Sequence, residues 1–442
     1  MKIQTLRLRK FKKFERISFQ FHPQFTVLIG DNATGKTSIL DALSIMLSTY
    51  VLRFDVGSGR PGFKTDEIQL KIFERDDVVN VERQKGAHIV AEGILDGKPV
   101  IWSRKPKDRT GSAKAVTEVA EFHSLAVSKG EDIDLPVLLY YGTGRLWDTH
   151  RKVPVDKTGS RVVGYKNCLD PRSDQYLFEK WFKKLELSAL QKKKIIGVLE
   201  SVRKVVRQCI PGATNFYFDV ANDALMVEFN HAEYRLFNTM SDGFRNMVAM
   251  VADIAHRAAR LNPHLGADAA SKATGVVLID EIDLHLHPKW QRRVVDDLKT
   301  AFPNIQFIVT THSPFIIQSL DSGELLDLSN IDPGIQESNE YSGIAWPGSG
   351  NEYSHRSTED ILEDIMDVAL PQRSERHKAM FEAAKKYYAI LQEGAKADEA
   401  EKEKIKLKLD ELSAPYSDNI AYHAFLEMKR LAAGLGKSRE GE

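Results

Sequence analysis

Residues 30–38 read GDNATGKTS and stand directly behind the apolar run FTVLI of residues 25–29. A glycine-rich turn between a buried strand and a helix can meet one physical demand. Its backbone N–H groups face inward around an anion, and the helix that follows presents its unpaired first-turn N–H groups to the same point. Gly30 and Gly35 give the backbone that freedom, Lys36 would neutralise the outer phosphates of a nucleotide, and Thr37 would offer its hydroxyl to a magnesium ion. Asn32 and Ser38 complete the nucleotide-binding set. The surroundings have the required periods: KIQTLRLRKF and RISFQF alternate as strands, and KTSILDALSIMLSTYVL has helical spacing.

The 442 residues exceed one ordinary core and fit two or three units of about 100–200 residues. Lys plus Arg equals Asp plus Glu at 62 each, so no global positive field favours nucleic acid, and any such role rests on local patches. Cys168 and Cys209 lie far apart and form no CxxC motif. With no secretory leader evident, the expected compartment is the reducing cytoplasm. No apolar run is read as reaching the roughly 18 residues of a membrane span, so no membrane role is expected.

Residues 52–65, rich in Gly, read as a surface loop, and residues 66–104 as antiparallel hairpins with an Asp-Gly turn. A polar connection follows, then a buried strand in LPVLLYYGTGRLW. Residues 174–209 read as helical throughout, with eight basic and two acidic residues between Lys183 and Arg207. That face is either a solvated arm or a surface that meets phosphates. A hairpin at 215–230 precedes a long helix opening at SDGFRNMVAM. The buried strands GVVLIDE and QFIVTTH flank a helix, PKWQRRVVDDLKTAF, and from about Tyr341 the chain turns to loop and charged helix.

A magnesium nucleotide needs an acidic contact, and GVVLIDE delivers Asp280 and Glu281 at a strand end. Asp280 suits the metal shell and Glu281 the attacking water, although such a pair alone is also a helix cap. His312 ends the next strand, where its imidazole can meet a γ-phosphate or serve the fold. Ser241 and Gly243 open a helix whose free N–H groups make an anion site, and an ordinary N-cap has the same look. His285 and His287 follow the Asp-Glu pair, and a metal site there is the weaker reading.

In chain order these are a phosphate loop, a Ser-x-Gly helix, an Asp-Glu strand about forty residues later and a His strand about thirty residues after that. The order resembles the head of ABC-type ATPases. DEIDLHLHPKWQ (280–291) and VTTHSPFII (309–317) are similar to the soluble branch that includes RecF, SMC, Rad50 and the OLD nucleases. The resemblance implies an α/β fold: a P-loop mixed sheet with an antiparallel β subdomain and a helical arm, then a C-terminal helical appendage. The expected divisions are an N-terminal lobe with the Walker A loop (1–170), the arm (171–212), a C-terminal lobe with signature, Walker B and His switch (213–335), and a helical region for partner docking or oligomerisation (336–442). It also implies a homodimer, open to higher oligomers, that sandwiches two ATP molecules. Ser241 of one copy would face the loop of the other, with Asp283 at the interface. Two positions depart from the pattern. Asp242 stands where transporter signatures carry Gly, and no Q-loop glutamine is evident. YYGTGR (140–145) is the stand-in, with Arg145 as a phosphate or interface residue.

The chain has no long heptad coiled coil, no CxxC hook and no strand-borne acidic cluster after His312, which sets it apart from Rad50 and SMC arms and from a complete OLD nuclease. GSRVVGYKNCLDPRSDQYLFEKWF (159–182), STEDILEDIMDVALPQRSERHKAMFEAAKKYYAIL (357–391), EAEKEKIKLKLDELSA (399–414) and SDNIAYHAFLEMKRLAAGLG (417–436) resemble the PtuA ATPases of Septu and retron-linked antiphage systems. In that group the partner is PtuB, an HNH nuclease. The resemblance thus implies a slow ATPase that assembles with and regulates a separate nuclease acting on DNA. Two other readings stand: a repair clamp resembling RecF, which rests on the basic helices, and a scaffold that holds ATP as a permanent ligand.

Overall fold

The structure, a computed structural model, describes residues 1–56, 62–75, 78–106, 112–145, 160–171, 175–193, 196–230, 233–329, 344–345, 353, 356–366, 368, 375–394, 399–416, 420–433 and 435. The chain divides into two compact units, Met1–Ile361 and Leu362–Glu442. Residues 57–61 of the 52–65 loop and residues 146–159, including the last two of LPVLLYYGTGRLW, lie outside the described residues.

The first unit begins with β1 (Lys2–Phe11), β2 (Phe14–Gln20), β3 (Phe25–Ile29) and α1 (Lys36–Val51). The hairpin β4 (Leu70–Arg75) and β5 (Val78–Arg83) stands as a two-stranded ribbon, and β6 (His88–Leu95) joins β7 (Lys98–Arg104) through the Asp-Gly turn. After α2 (Lys114–Ser128) come β8 (Val137–Tyr141), α3 (Gln175–Lys192), α4 (Gly197–Cys209), β9 (Ala213–Asp219), β10 (Ala224–Phe229) and β11 (Glu233–Leu236). The rest of the head holds α5 (Asp242–Leu261), α6 (Ala269–Lys272), β12 (Gly275–Ile279), α7 (Pro288–Gln291), α8 (Val294–Ala301), β13 (Ile305–Thr310), α9 (Pro314–Ile317), β14 (Leu325–Asp327) and β15 (Ile344–Ala345).

Five strands form the sheet that carries the phosphate loop, in the order β14-β3-β13-β12-β8, and every pairing in it is parallel. All residues of β3, β8, β12 and β13 are buried, as the continuous apolar runs require of strands covered on both faces. The antiparallel strands form sheets of their own, β15-β2-β1-β6-β7 and β11-β10-β9, with β15 the one parallel addition. The strand order matters for the site. It places β13 between the strand that leads into the loop and the strand that delivers the Asp-Glu pair, with all their carboxyl ends on one side, where open α/β sheets bind ligands.

Four local expectations change. The polar connection after Arg104 contains α2, whose buried residues are Val116, Ala120, His123 and Ala126. Small residues and a histidine carry that stripe, and the His123 Nδ1 lies 2.6 Å from the Tyr50 hydroxyl on α1. The arm is two helices, because Lys193 takes a left-handed φ of 47° at the end of α3. Its acidic residues Glu186 and Glu200 both pair with Arg203 at 2.6 Å, and Lys183 pairs with Asp223, so part of the positive face is neutralised. The helix expected over 288–302 breaks at Arg293, whose φ/ψ of −124° and −15° is not helical. Finally, Lys36–Phe54 is long and apolar enough to pass for a membrane span, yet 72% of that window is buried inside the fold, the setting of a core helix.

Helix α5 is fixed by a buried polar cluster. The Asp253 carboxylate accepts from Tyr141 Oη at 2.8 Å and from Arg257 Nε at 3.0 and 3.1 Å, and His256 Nδ1 lies 3.4 Å away. The His256 ring packs on Trp181 of α3 at a centroid distance of 4.2 Å. Burial brings this imidazole down to about 4, so it is neutral in the folded chain, whereas in the unfolded chain it titrates near 6.5. Between about pH 6.5 and about pH 4 the unfolded state therefore takes up a proton that the folded state refuses, and stability falls as the pH falls. The melting temperature is expected to drop between pH 7 and pH 5, and the drop to shrink in His256→Gln, as thermal melts at both pH values will read.

The second unit packs α11 (Glu375–Gly394), α12 (Glu399–Ser413) and α13 (Ile420–Ala432) after α10 (Thr358–Asp364), at which the division falls. Tyr387, Leu391, Leu409, Leu426 and Leu435 form its core, and Arg430 pairs with Asp410 beside it. Phe425, Met428 and Leu431 line the outer side of α13 and are exposed.

Candidate active site

The chain leaves β3 and bends sharply, with φ of 138° at Gly30, 68° at Ala33 and 103° at Gly35. Gly35 is required twice over: it occupies the left-handed region, and a Cβ there would lie 2.5 Å from the Phe14 ring. No side chain caps α1, so its first-turn N–H groups face the loop. Lys36 Nζ donates to the carbonyls of Gly30 and Asp31 at 2.6 and 2.9 Å. Burial lowers its ammonium from the ordinary value, while Asp280, Asp31 and Glu281 pull the other way. Asn32 is exposed in the loop and Ser38 half-buried beyond it.

Thr37 Oγ1 donates to Asp280 Oδ2 at 2.9 Å, a contact between residues 243 apart in sequence. The other Asp280 oxygen accepts from Thr310 Oγ1 at 2.7 Å, and the Glu281 N–H donates to that same hydroxyl at 2.7 Å. A hydroxyl and a carboxylate side by side are hard oxygen donors, which fits magnesium with the phosphates as its other ligands. Glu281 has a left-handed φ of 50°, and its carboxylate is only partly buried. His312 is exposed just beyond β13, and its neighbour Thr311 donates to Asp283 Oδ1 at 2.6 Å. Thr310 and Thr311 were missed by sequence reasoning, although the TT pair before His312 was the visible signal. Lys13 was also missed: it reaches from the β1–β2 turn to donate to the Ala33 carbonyl at 2.7 Å.

Ser241 is the N-cap residue of α5, is exposed, and makes no side-chain cap bond. Gly243 meets the loop after the Asp-Glu pair: a Cβ on it would lie 2.1 Å from the His285 carbonyl oxygen. Gly243→Ala is therefore expected to push α5 off that loop and cost about 1–3 kcal/mol by overpacking. Denaturant unfolding would read that loss, with Ser241→Ala as the comparison that leaves stability unchanged. His287 Nδ1 accepts from the Lys289 N–H at 3.2 Å and caps α7. Among the described residues no group of three His, Cys, Asp or Glu side chains could hold a metal ion.

Arg145 departs from the expectation of a phosphate or interface residue. It is 4% exposed, and its guanidinium donates to the carbonyls of Gly142, Asp280 and Glu281 and to the side chain of Asn246. These bonds place it beneath the acidic pair as part of the fold.

A family profile described as "AAA domain" matches residues 5–209, and one described as "AAA domain, putative AbiEii toxin, Type IV TA system" matches residues 156–318. The "Retron Vc95 probable ATPase" of Vibrio cholerae serotype O1 biovar El Tor is 27% identical over 402 residues, covering 75% of this chain and 74% of that protein. The "Retron Ec83 probable ATPase" of Escherichia coli is 25% identical over 406 residues, covering 75% and 72%. The "Septu protein PtuA" of Bacillus mycoides (strain KBAB4) is 26% identical over 342 residues, covering 73% of this chain and 40% of that protein.

Proposed function

We propose that the chain, which matches AAA-domain profiles, is the ATP-binding, slowly hydrolysing subunit of an antiphage complex, and that it assembles with and regulates a separate HNH nuclease similar to PtuB that acts on DNA. The observation that carries the ATPase part is the Thr37–Asp280 contact, which unites the two halves of a magnesium-nucleotide site. The similarity to retron and Septu ATPases supports the defence setting.

In this reading the loop N–H groups and Lys36 bind the phosphates, and Thr37 and Asp280 hold magnesium, which when bound neutralises charge on the phosphates. Glu281 orients or deprotonates the attacking water, and His312 donates to the γ-phosphate. Ser241, Gly243 and the head of α5 serve the nucleotide of a second copy, so that two chains enclose two ATP molecules. Asp283 lies at that interface.

Co-expression with a PtuB-like HNH nuclease, purification, and a DNA cleavage assay with and without ATP test the proposal. Nuclease activity that appears only in the complex and responds to ATP is the expected result. DNA cleavage by this chain alone overturns it.

A further inference from the structure

We propose that Arg145 is a positioning residue that ties α5 to the Asp280–Glu281 turn, so that hydrolysis depends on how α5 is seated. The inference rests on the ATPase reading above and adds a physical link between the helix headed by Ser241 and the carboxylates. Arg145 Nη1 donates to the carbonyls of Asp280 at 2.7 Å and Gly142 at 3.0 Å, and Nη2 donates to the carbonyl of Glu281 at 2.8 Å. The remaining donor, Nε, meets Asn246 Oδ1 at 2.8 Å, and Asn246 Nδ2 in turn donates to the Leu284 carbonyl at 3.0 Å. Arg145 and Asn246 are 4% and 3% exposed, so water does not compete for these bonds.

The backbone explains what the fork does. Glu281 is held at φ 50°, a conformation that a residue with a side chain adopts at a cost. Thr310 accepts its N–H on one side and Arg145 binds its carbonyl on the other, so both peptide groups that aim the carboxylate are pinned. Thr310 belongs to the rigid sheet. Arg145 takes its remaining anchor from α5, five residues after Ser241, and the same asparagine holds the Leu284 carbonyl beyond Glu281. A shift of the α5 head therefore moves Asn246, and with it the Arg145 fork on the Glu281 carbonyl and the Leu284 carbonyl beyond, while Thr310 stays with the sheet. Only a planar, permanently charged fork can span three carbonyls and an amide at once, which a lysine cannot do. Burial brings the guanidinium down to about 10, against the pull of Asp280, Asp283 and Glu281, so it keeps its charge near neutral pH.

Asn246→Ala cuts the link to α5 and leaves the carbonyl clamps intact. It is expected to bind a fluorescent ATP analogue as the parent does, with KM little changed, and to lose about 10–100-fold in kcat through misplacement of the carboxylate. Asn246→Asp keeps an acceptor for Arg145 Nε but gives up the donor to the Leu284 carbonyl, and is expected to recover part of that loss. Arg145→Lys keeps the charge without the fork and is expected to lose kcat with ATP binding retained. Unchanged kcat in Asn246→Ala, a loss confined to KM, or no recovery in Asn246→Asp overturns the coupling alone. A parent chain that turns over no ATP overturns the ATPase reading beneath it.

Discussion

Replacing Glu281 by Gln is expected to lower ATP turnover by about 10²–10⁴-fold, the range for removal of a general base, while ATP binding persists. Glu281 and Gln have nearly the same shape, and the backbone that aims the side chain is held by Thr310 and Arg145. The substitution therefore removes the base without disturbing the Thr37–Asp280 pair or the phosphate loop. Phosphate release reads the first effect, and the rise in melting temperature on adding ATP and magnesium reads the second. Lys36→Ala is the contrast, since it removes the cation that the loop carbonyls hold at its mouth. If Glu281→Gln leaves phosphate release unchanged while Lys36→Ala abolishes assembly, the chain is a scaffold with ATP as a permanent ligand.

Asp253→Ala is expected to cost about 3–5 kcal/mol of stability, the usual penalty for breaking a buried charged pair. Burial alone would raise this carboxyl, but Arg257, His256 and Tyr141 outweigh it and hold it well below the ordinary carboxylate range. Its removal takes the carboxylate from Arg257, which still donates to the carbonyls of Gly164 and Lys166, and leaves the Tyr141 hydroxyl without its acceptor. Tyr141 ends β8 and its carbonyl accepts the Asp280 N–H at 2.8 Å, so the damage lies next to the acidic pair. Urea unfolding measures the loss. Asp253→Asn, which still offers an oxygen to Arg257, is expected to lose less. A loss of under about 1 kcal/mol, the range of exposed pairs, would show that the cluster holds nothing together.

The parts legible in the sequence are those whose cause is local. The loop, its strand and its helix are contiguous, and β8 and β12 announce themselves as unbroken apolar runs, with β13 broken inside by Gln306 alone. Helix α2 was hidden because alanines and a histidine carry its buried stripe. The break in the arm includes the left-handed Lys193 and the extended Ile196, conformations that no periodicity records. Arg145 could be noticed but not understood, because its role comes from carbonyls 135 and 136 residues away. Thr310 is similar: its hydroxyl matters only because β13 lies between β3 and β12.

The seat of α5 on the His285 carbonyl divides the Ser-x-Gly pattern into a locked position and a free one. At 243 the barrier is main chain against main chain, so no change elsewhere in the side chains can make room for anything but glycine. At 242 the side chain is partly exposed, and Asp242 pairs with Arg245 one turn further along the helix. Single substitutions at 242 can thus retune the charge at the helix head, whereas a step away from glycine at 243 has to displace α5 and costs stability. A pattern for recognising divergent members should weight these two positions differently.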